Sequence, residues 1–142
     1  MSEGPTKKHW SLAPFTFIYR MVIGLRNKLF DWKILPSEEF DLPVISVGNL
    51  TVGGTGKTPH TEYLIGLLKG SKNTALLSRG YKRKTKGFRL ATSSSTSQDI
   101  GDEPYQIKTK FPGVQVAVDA NRRHGIHELC NRSAPSDVVL LD

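Results

Sequence analysis

The chain has 142 residues, 37% of them hydrophobic and 23% charged, which suits one globular domain with its own core. Its single cysteine, Cys130, excludes an internal disulfide and predicts a buried thiol behaving as a small hydrophobe. Lys and Arg number 20 against 13 Asp and Glu, and the net charge of +7 predicts attraction to polyanions: nucleic acid, an anionic membrane surface or phosphorylated substrates.

Residues 1–13 are polar, contain Pro and Gly and show no apolar period, so they predict a flexible tail. They hold no compact apolar stretch followed by a small-residue cleavage site, and cytoplasmic residence is the resulting expectation. Residues 14–35 follow a different rule. Phe15, Ile18, Val22, Leu25, Leu29 and Trp32 recur three and four positions apart, which puts them on one stripe of a helix, with Arg20, Asn27 and Asp31 on the other side. Charges interrupt the stretch too often for a spanning helix. Two uses of the stripe stay open: burial against the protein's own core, or residence in a membrane interface, where Arg20, Arg26, Lys28 and Lys33 would meet anionic head groups.

Residues 36–142 carry the pattern of a nucleotide-binding domain. After a Pro-bounded linker, Val44 to Val47 is a β-branched run that predicts a buried strand. A glycine-rich turn follows, and then a helix from about Thr58 to Lys69, with Tyr63, Leu64, Leu67 and Leu68 at helical spacing and Gly70 as its stop. Thr74 to Leu77 predicts a second strand. Residues 80–98 are basic and then Ser/Thr-rich, predicting loops or a short hairpin near Phe88 to Leu90; the run from Tyr81 to Lys86 predicts a solvated loop, with lipid head groups or substrate as its alternative ligands. A helix at Glu103 to Lys110, a strand at Val114 to Val118, a helix at Arg122 to Leu129 and a strand at Val138 to Leu141 complete an alternation that implies an α/β fold with a parallel sheet. His124 and His127 are expected on an exposed helix face, and the histidines show no metal-ligand spacing.

Thr51-Val52-Gly53-Gly54-Thr55-Gly56-Lys57-Thr58 sits between a predicted strand and a predicted helix, which is the setting of a P-loop. The glycines let successive backbone N–H groups and the helix N-terminus face phosphate oxygens. Lys57 adds a cation at the β- and γ-phosphates, and the Thr58 hydroxyl suits Mg²⁺. The general pattern asks for Gly where Thr51 stands. A P-loop also needs an acid on a neighbouring strand, and Asp142 at the end of Val138 to Leu141 is the candidate; turn chemistry is its alternative use.

The wording from Val44 to Pro59, then Leu77-Ser-Arg-Gly-Tyr81, then Gly101-Asp-Glu-Pro104, resembles the tetraacyldisaccharide 4'-kinase family of lipid A biosynthesis, over about Pro14 to Asp142. In that family Thr precedes the loop as Thr51 does here. The resemblance implies a P-loop NTPase-like, Rossmann-like sheet, ATP and Mg²⁺ as cofactors, and transfer of the γ-phosphoryl group to the 4'-hydroxyl of a tetraacyl glucosamine disaccharide 1-phosphate. It further implies peripheral residence on the cytoplasmic face of the inner membrane, docked through residues 14–35 on its anionic surface, with no nucleic acid as partner. Asp102 becomes the carboxylate that takes or orients the acceptor hydroxyl's proton, with Glu103 beside it; without the resemblance, Asp102 reads first as a helix N-cap. Arg79 and Arg122 are candidates to face a phosphate, as planar bidentate donors.

The family pattern continues beyond the position of Asp142 with a further large portion. The chain is therefore expected to be an N-terminal part of the enzyme, lacking some metal and acceptor residues and inactive alone. Two other classes remain as alternatives: a P-loop NTPase of another pathway, and a basic nucleic-acid-binding module. No aromatic residues interleave the basic run after Tyr81, as a stacking platform would require.

Overall fold

The structure, a computed structural model, describes residues 13–35, 37–48 and 56–142. The chain divides into two compact units, Met1–Glu39 and Phe40–Asp142.

In the first unit, α1 (Ala13–Asp31) presents Phe15, Ile18, Val22 and Leu25 to the surface, each more than half exposed. The helix ends sooner than the spacing predicts. Ile34 N donates to Leu29 O at 3.0 Å and Lys33 N to Phe30 O at 2.9 Å, with Lys33 at φ +57. This is a Schellman stop, so Trp32 caps the helix instead of extending its stripe. Among the described residues no helix is long and apolar enough to cross a membrane.

In the second unit, β1 (Val44–Ser46), α2 (Lys57–Leu68), β2 (Thr74–Ser78), β3 (Arg89–Leu90), α3 (Ser97–Ile100), α4 (Asp102–Lys110), β4 (Gln115–Val118), α5 (Arg122–Cys130) and β5 (Val138–Leu141) follow in order. The strands form a sheet in the order β1-β5-β2-β4-β3, with β1, β5, β2 and β4 parallel. Side chains alternate across it, as the period of two requires. Leu76, Val116 and Leu140 join Ile65 of α2, Ile100 of α3 and Ile107 of α4 on one face. Ala75, Leu77, Ala117 and Val139 join Ile126 and Leu129 of α5 on the other.

Several expectations are corrected. β1 is an edge strand bonded to β5, and Ile45 is 37% exposed, so it is not a buried strand. The buried line of α2 runs through Thr61, Leu64, Ile65 and Leu68, whereas Tyr63 and Leu67 are exposed: at 100° per residue they belong to the outer face. β3 makes no local hairpin. It pairs antiparallel with β4, Arg89 opposite Val118 and Leu90 opposite Ala117. The basic run is only partly solvated, because the Arg83 guanidinium donates to Val118 O at 3.3 Å and to Gly87 O at 2.7 Å. Cys130 is half-buried at the margin of the α5 core, and burial, followed by the nearby Asp41, pushes its thiol above the ordinary range.

Candidate active site

Parallel strands bring their C-terminal ends to one edge, and that edge holds a cleft of about 520 Å³. Its wall combines strand ends and helix starts. Ser78 and Arg79 leave β2, and Asp142 follows β5. Lys57 opens α2, Asp102, Glu103 and Pro104 open α4, and Arg122 opens α5. A crevice outside the carboxyl ends of an open α/β sheet is where ligands of such folds sit. Each helix start adds unpaired N–H groups and roughly half a positive charge, so their convergence favours an anion before any side chain is counted.

The local chemistry explains the placement. Gly56 caps α2 at φ +77, in the left-handed region that glycine enters most readily, and its carbonyl lies 2.7 Å from His60 Nδ1. Gly101 caps α4 at φ +94 and ψ 159. A Cβ on Gly101 would lie 3.0 Å from Tyr81 O, so glycine lets the segment before α4 pack backbone to backbone on the segment after β2. The two motifs Leu77 to Tyr81 and Gly101 to Pro104 thus meet in one wall. Because Gly101 takes the N-cap position, Asp102 does not serve as the cap; it begins the helix and lines the cleft.

The carboxylates are graded by environment. Burial, and then the Glu103 carboxylate, raise Asp142 above the ordinary aspartate range, against the pull of Lys57 and Arg122. Its Oδ1 is buried with no hydrogen-bond partner among the described residues. Arg122 donates to Asp142 O at 2.5 Å, while burial and the nearby Arg79 push its guanidinium down from a value so high that it stays cationic. Thr58 Oγ1 donates to Glu103 Oε1 at 3.4 Å.

Of the residues singled out by the sequence, Lys57, Arg79, Asp102, Glu103, Arg122 and Asp142 line the cleft, and Thr58 joins them through Glu103. Gly56 stands at the start of α2. Thr51, Val52, Gly53, Gly54 and Thr55 lie outside the described residues. Ser78 and Pro104 also line it and were not singled out, and so do Tyr81 and Lys82, of a run whose alternative reading was contact with a ligand. Tyr81 and Lys82 carried a signal, being contiguous with Arg79 in the same motif, but their basic neighbours pointed to a solvated loop. α3 was missed as well, although Thr96 and Asp99 have capping spacing: Asp99 Oδ2 accepts from Thr96 N at 2.9 Å and from its hydroxyl at 2.8 Å.

Asp119 is buried at the end of β4, its Oδ1 accepting from Asn121 N at 2.9 Å and its Oδ2 lying 2.6 Å from His124 Nδ1. Among the described residues no group of His, Cys, Asp and Glu gathers as a protein-only metal cage. Magnesium does not need one, since it commonly binds through one or two carboxylates and substrate phosphates. The hydroxyl of Thr58, the carboxylate of Glu103 and the unpartnered Oδ1 of Asp142 are hard oxygen donors that fit this ion.

A helix start at the carboxyl edge of a parallel sheet, opening on a cleft bordered by Lys57, Arg122 and carboxylates, is the arrangement of the P-loop kinase fold. A family model described as LpxK, tetraacyldisaccharide-1-P 4'-kinase, matches residues 8–142, and the chain belongs to that family. It is 61% identical over 133 residues to a tetraacyldisaccharide 4'-kinase of Parabacteroides distasonis, covering 92% of this chain and 36% of that relative. It is 58% identical over 143 residues to one of Bacteroides thetaiotaomicron, covering 100% of this chain and 38% of the relative. A solved structure, the "apo" form of LpxK from Aquifex aeolicus in complex with ATP, superposes with a TM-score of 0.77 at 40% identity, over 92% of this chain and 42% of that one. The chain spans under two-fifths of the length of these two curated relatives.

Proposed function

We propose that the chain supplies the nucleotide grip and the general base for transfer of the ATP γ-phosphoryl group to the 4'-hydroxyl of a tetraacyl glucosamine disaccharide 1-phosphate, the step in lipid A biosynthesis that its relatives are named for. The observation that carries this reading is the gathering of Lys57, Asp102, Glu103, Arg122 and Asp142 around one cleft. In the reaction the acceptor oxygen bonds to the γ-phosphorus, the bond from that phosphorus to the β–γ bridging oxygen breaks, and ADP departs. The hydroxyl proton passes to the Asp102 carboxylate. Lys57, Arg122 and the start of α2 hold the phosphates and offset their charge. On its sequence motif, the segment 51–58 is assigned to grip the nucleotide phosphates, and Arg79 is a second guanidinium for a phosphate. Bound Mg²⁺, held by Thr58 and Asp142 with Glu103 beside them, would neutralise phosphate charge and orient the oxygens.

The same reading assigns α1 to the cytoplasmic face of the inner membrane as a peripheral anchor. Its exposed Phe15, Ile18, Val22 and Leu25, flanked by Arg20, Arg26 and Lys28, have the chemistry of an interfacial helix. A lipid acceptor gives such an anchor a purpose.

Calorimetric titration of Mg²⁺-ATP into the chain and into Lys57→Ala tests the nucleotide site. An affinity loss of about tenfold or more in the variant supports it. Equal binding by the two, or none by a wild-type chain shown to be folded, removes it. Flotation with anionic vesicles, lost on changing Phe15 and Leu25 to Ser, tests the anchor.

A further inference from the structure

The turn after β2 holds a residue that its backbone does not favour. Arg83 N donates to Gly80 O at 3.2 Å and closes a tight turn with Tyr81 and Lys82 at its centre. Lys82 takes the third position at φ +62, in the left-handed region where glycine or asparagine is the usual occupant. A side chain there carries a strain that glycine avoids. Its surroundings impose the conformation. Arg83 is tied to Val118 O and Gly87 O, Lys84 N donates to Gln98 O at 2.8 Å, and the Thr85 hydroxyl donates to Asp99 O at 2.5 Å.

Packing gives no reason for a lysine at this point. Lys82 is exposed, and its Nζ rests 5.4 Å from the centroid of the Tyr81 ring. Yet it lines the cleft with Lys57, Arg79 and Arg122, and these cations outnumber the lining carboxylates Asp102, Glu103 and Asp142. A sparsely populated backbone conformation beside a ligand cleft is the kind of feature that function retains.

We propose that Lys82 is a phosphate-binding residue, its ammonium contacting a phosphate oxygen of a ligand in the cleft, with the strained turn setting it in reach. This rests on the phosphoryl-transfer reading above. The phosphate has two sources, the nucleotide and a phosphorylated sugar acceptor, and both offer the same chemistry to a compact point charge.

Lys82→Gly relieves the turn and deletes the cation in one step, so stability and binding are expected to move in opposite directions. Tm rises by about 2–5 °C, while affinity for at least one phosphate probe falls about fivefold or more. Lys82→Arg keeps the affinity and Lys82→Met loses it. The probes are Mg²⁺-ATP and glucosamine 1-phosphate, each titrated into the wild type, the Lys82 variants and Lys57→Ala. Weakening for Mg²⁺-ATP assigns Lys82 to the nucleotide, and weakening for the sugar phosphate assigns it to the acceptor. A raised Tm with unchanged affinity for both, or full binding by Lys82→Met, overturns the proposal. Binding lost in Lys57→Ala but intact in every Lys82 variant sinks only the role of Lys82. A folded wild type that binds neither probe, or Lys57→Ala that binds both as well as the wild type, sinks the phosphoryl-transfer reading and this role together.

Discussion

Thr58 and Glu103, separated by 45 positions, meet with the hydroxyl donating to Oε1 at 3.4 Å, so the starts of α2 and α4 are joined at the cleft. Glu103 also acts on Asp142, whose carboxyl it raises after burial has done so. Glu103→Gln is expected to lower the Asp142 titration toward the ordinary aspartate range without restoring it fully, because burial remains. Carboxyl-carbon NMR titration of the two chains measures the shift, and an unmoved Asp142 would separate the two residues.

Asp142 sets a pH dependence with an unusual sign. An acid whose folded pKa is raised binds protons more tightly in the folded state, so stability falls as pH rises from the unfolded value through the raised one. Above that window the cost is present in full. Asp142→Asn removes the titration. The urea midpoint of the wild type is expected to drop across the window relative to Asp142→Asn, and parallel profiles would contradict it.

His124 gives a slope of the same sign for a different reason, since here the charged form is the one the fold stabilises. Its hydrogen bond to Asp119 raises its pKa above the ordinary histidine value, against the pull of burial and with further help from the charges of Asp119 and Glu128. The stabilisation is complete below the ordinary histidine value and disappears as pH rises through the raised one. Denaturation midpoints at pH values on either side of that window should converge for the wild type and His124→Gln at high pH and separate at low pH. High salt should narrow the gap, since the ring is half exposed.

Gly101→Ala places a Cβ at φ +94 and ψ 159, a region almost reserved for glycine, and 3.0 Å from Tyr81 O. The expected loss is about 1–3 kcal/mol, read from urea unfolding. Mg²⁺-ATP affinity should fall as well, since Asp102 and Tyr81 shift together.

Ile107→Ala removes a side chain that is 2% exposed and seats α4 on the sheet. Such truncations cost about 2–5 kcal/mol. Chemical denaturation checks the figure.

The alternation of strands and helices was legible because β2, β4 and β5 are short apolar runs and α4 and α5 begin with polar clusters. Their limits in the structure fall close to those read from sequence. What escaped depends on distant partners. Nothing local to Val44–Ser46 tells that β1 has a neighbour on one side only, or that Leu90 pairs with Ala117. In α2, four apolar residues at mixed spacing allowed two faces, and the sheet beneath selected Ile65 over Tyr63. At the cleft, charged residues in recognised motifs could be singled out one by one. That Tyr81 and Lys82 turn toward them depends on Gly80 and Gly101 packing together, which spacing does not encode.

The common direction of β1, β5, β2 and β4 also divides tolerance to change along the molecule. The connections that leave β2 and β4 and open α4 and α5 fix backbone atoms at the ligand edge, so a lengthened connection there would displace the groups that grip a phosphate. At the opposite edge α2 and α4 finish among Lys69, Lys108 and Lys110, whose charges offset the negative helix ends. There the connections answer only to packing. Sequence drift and short insertions should accumulate around residues 131–134 and be nearly absent from residues 79–82, and a scan of insertions scored by folding and by ATP affinity would draw that boundary.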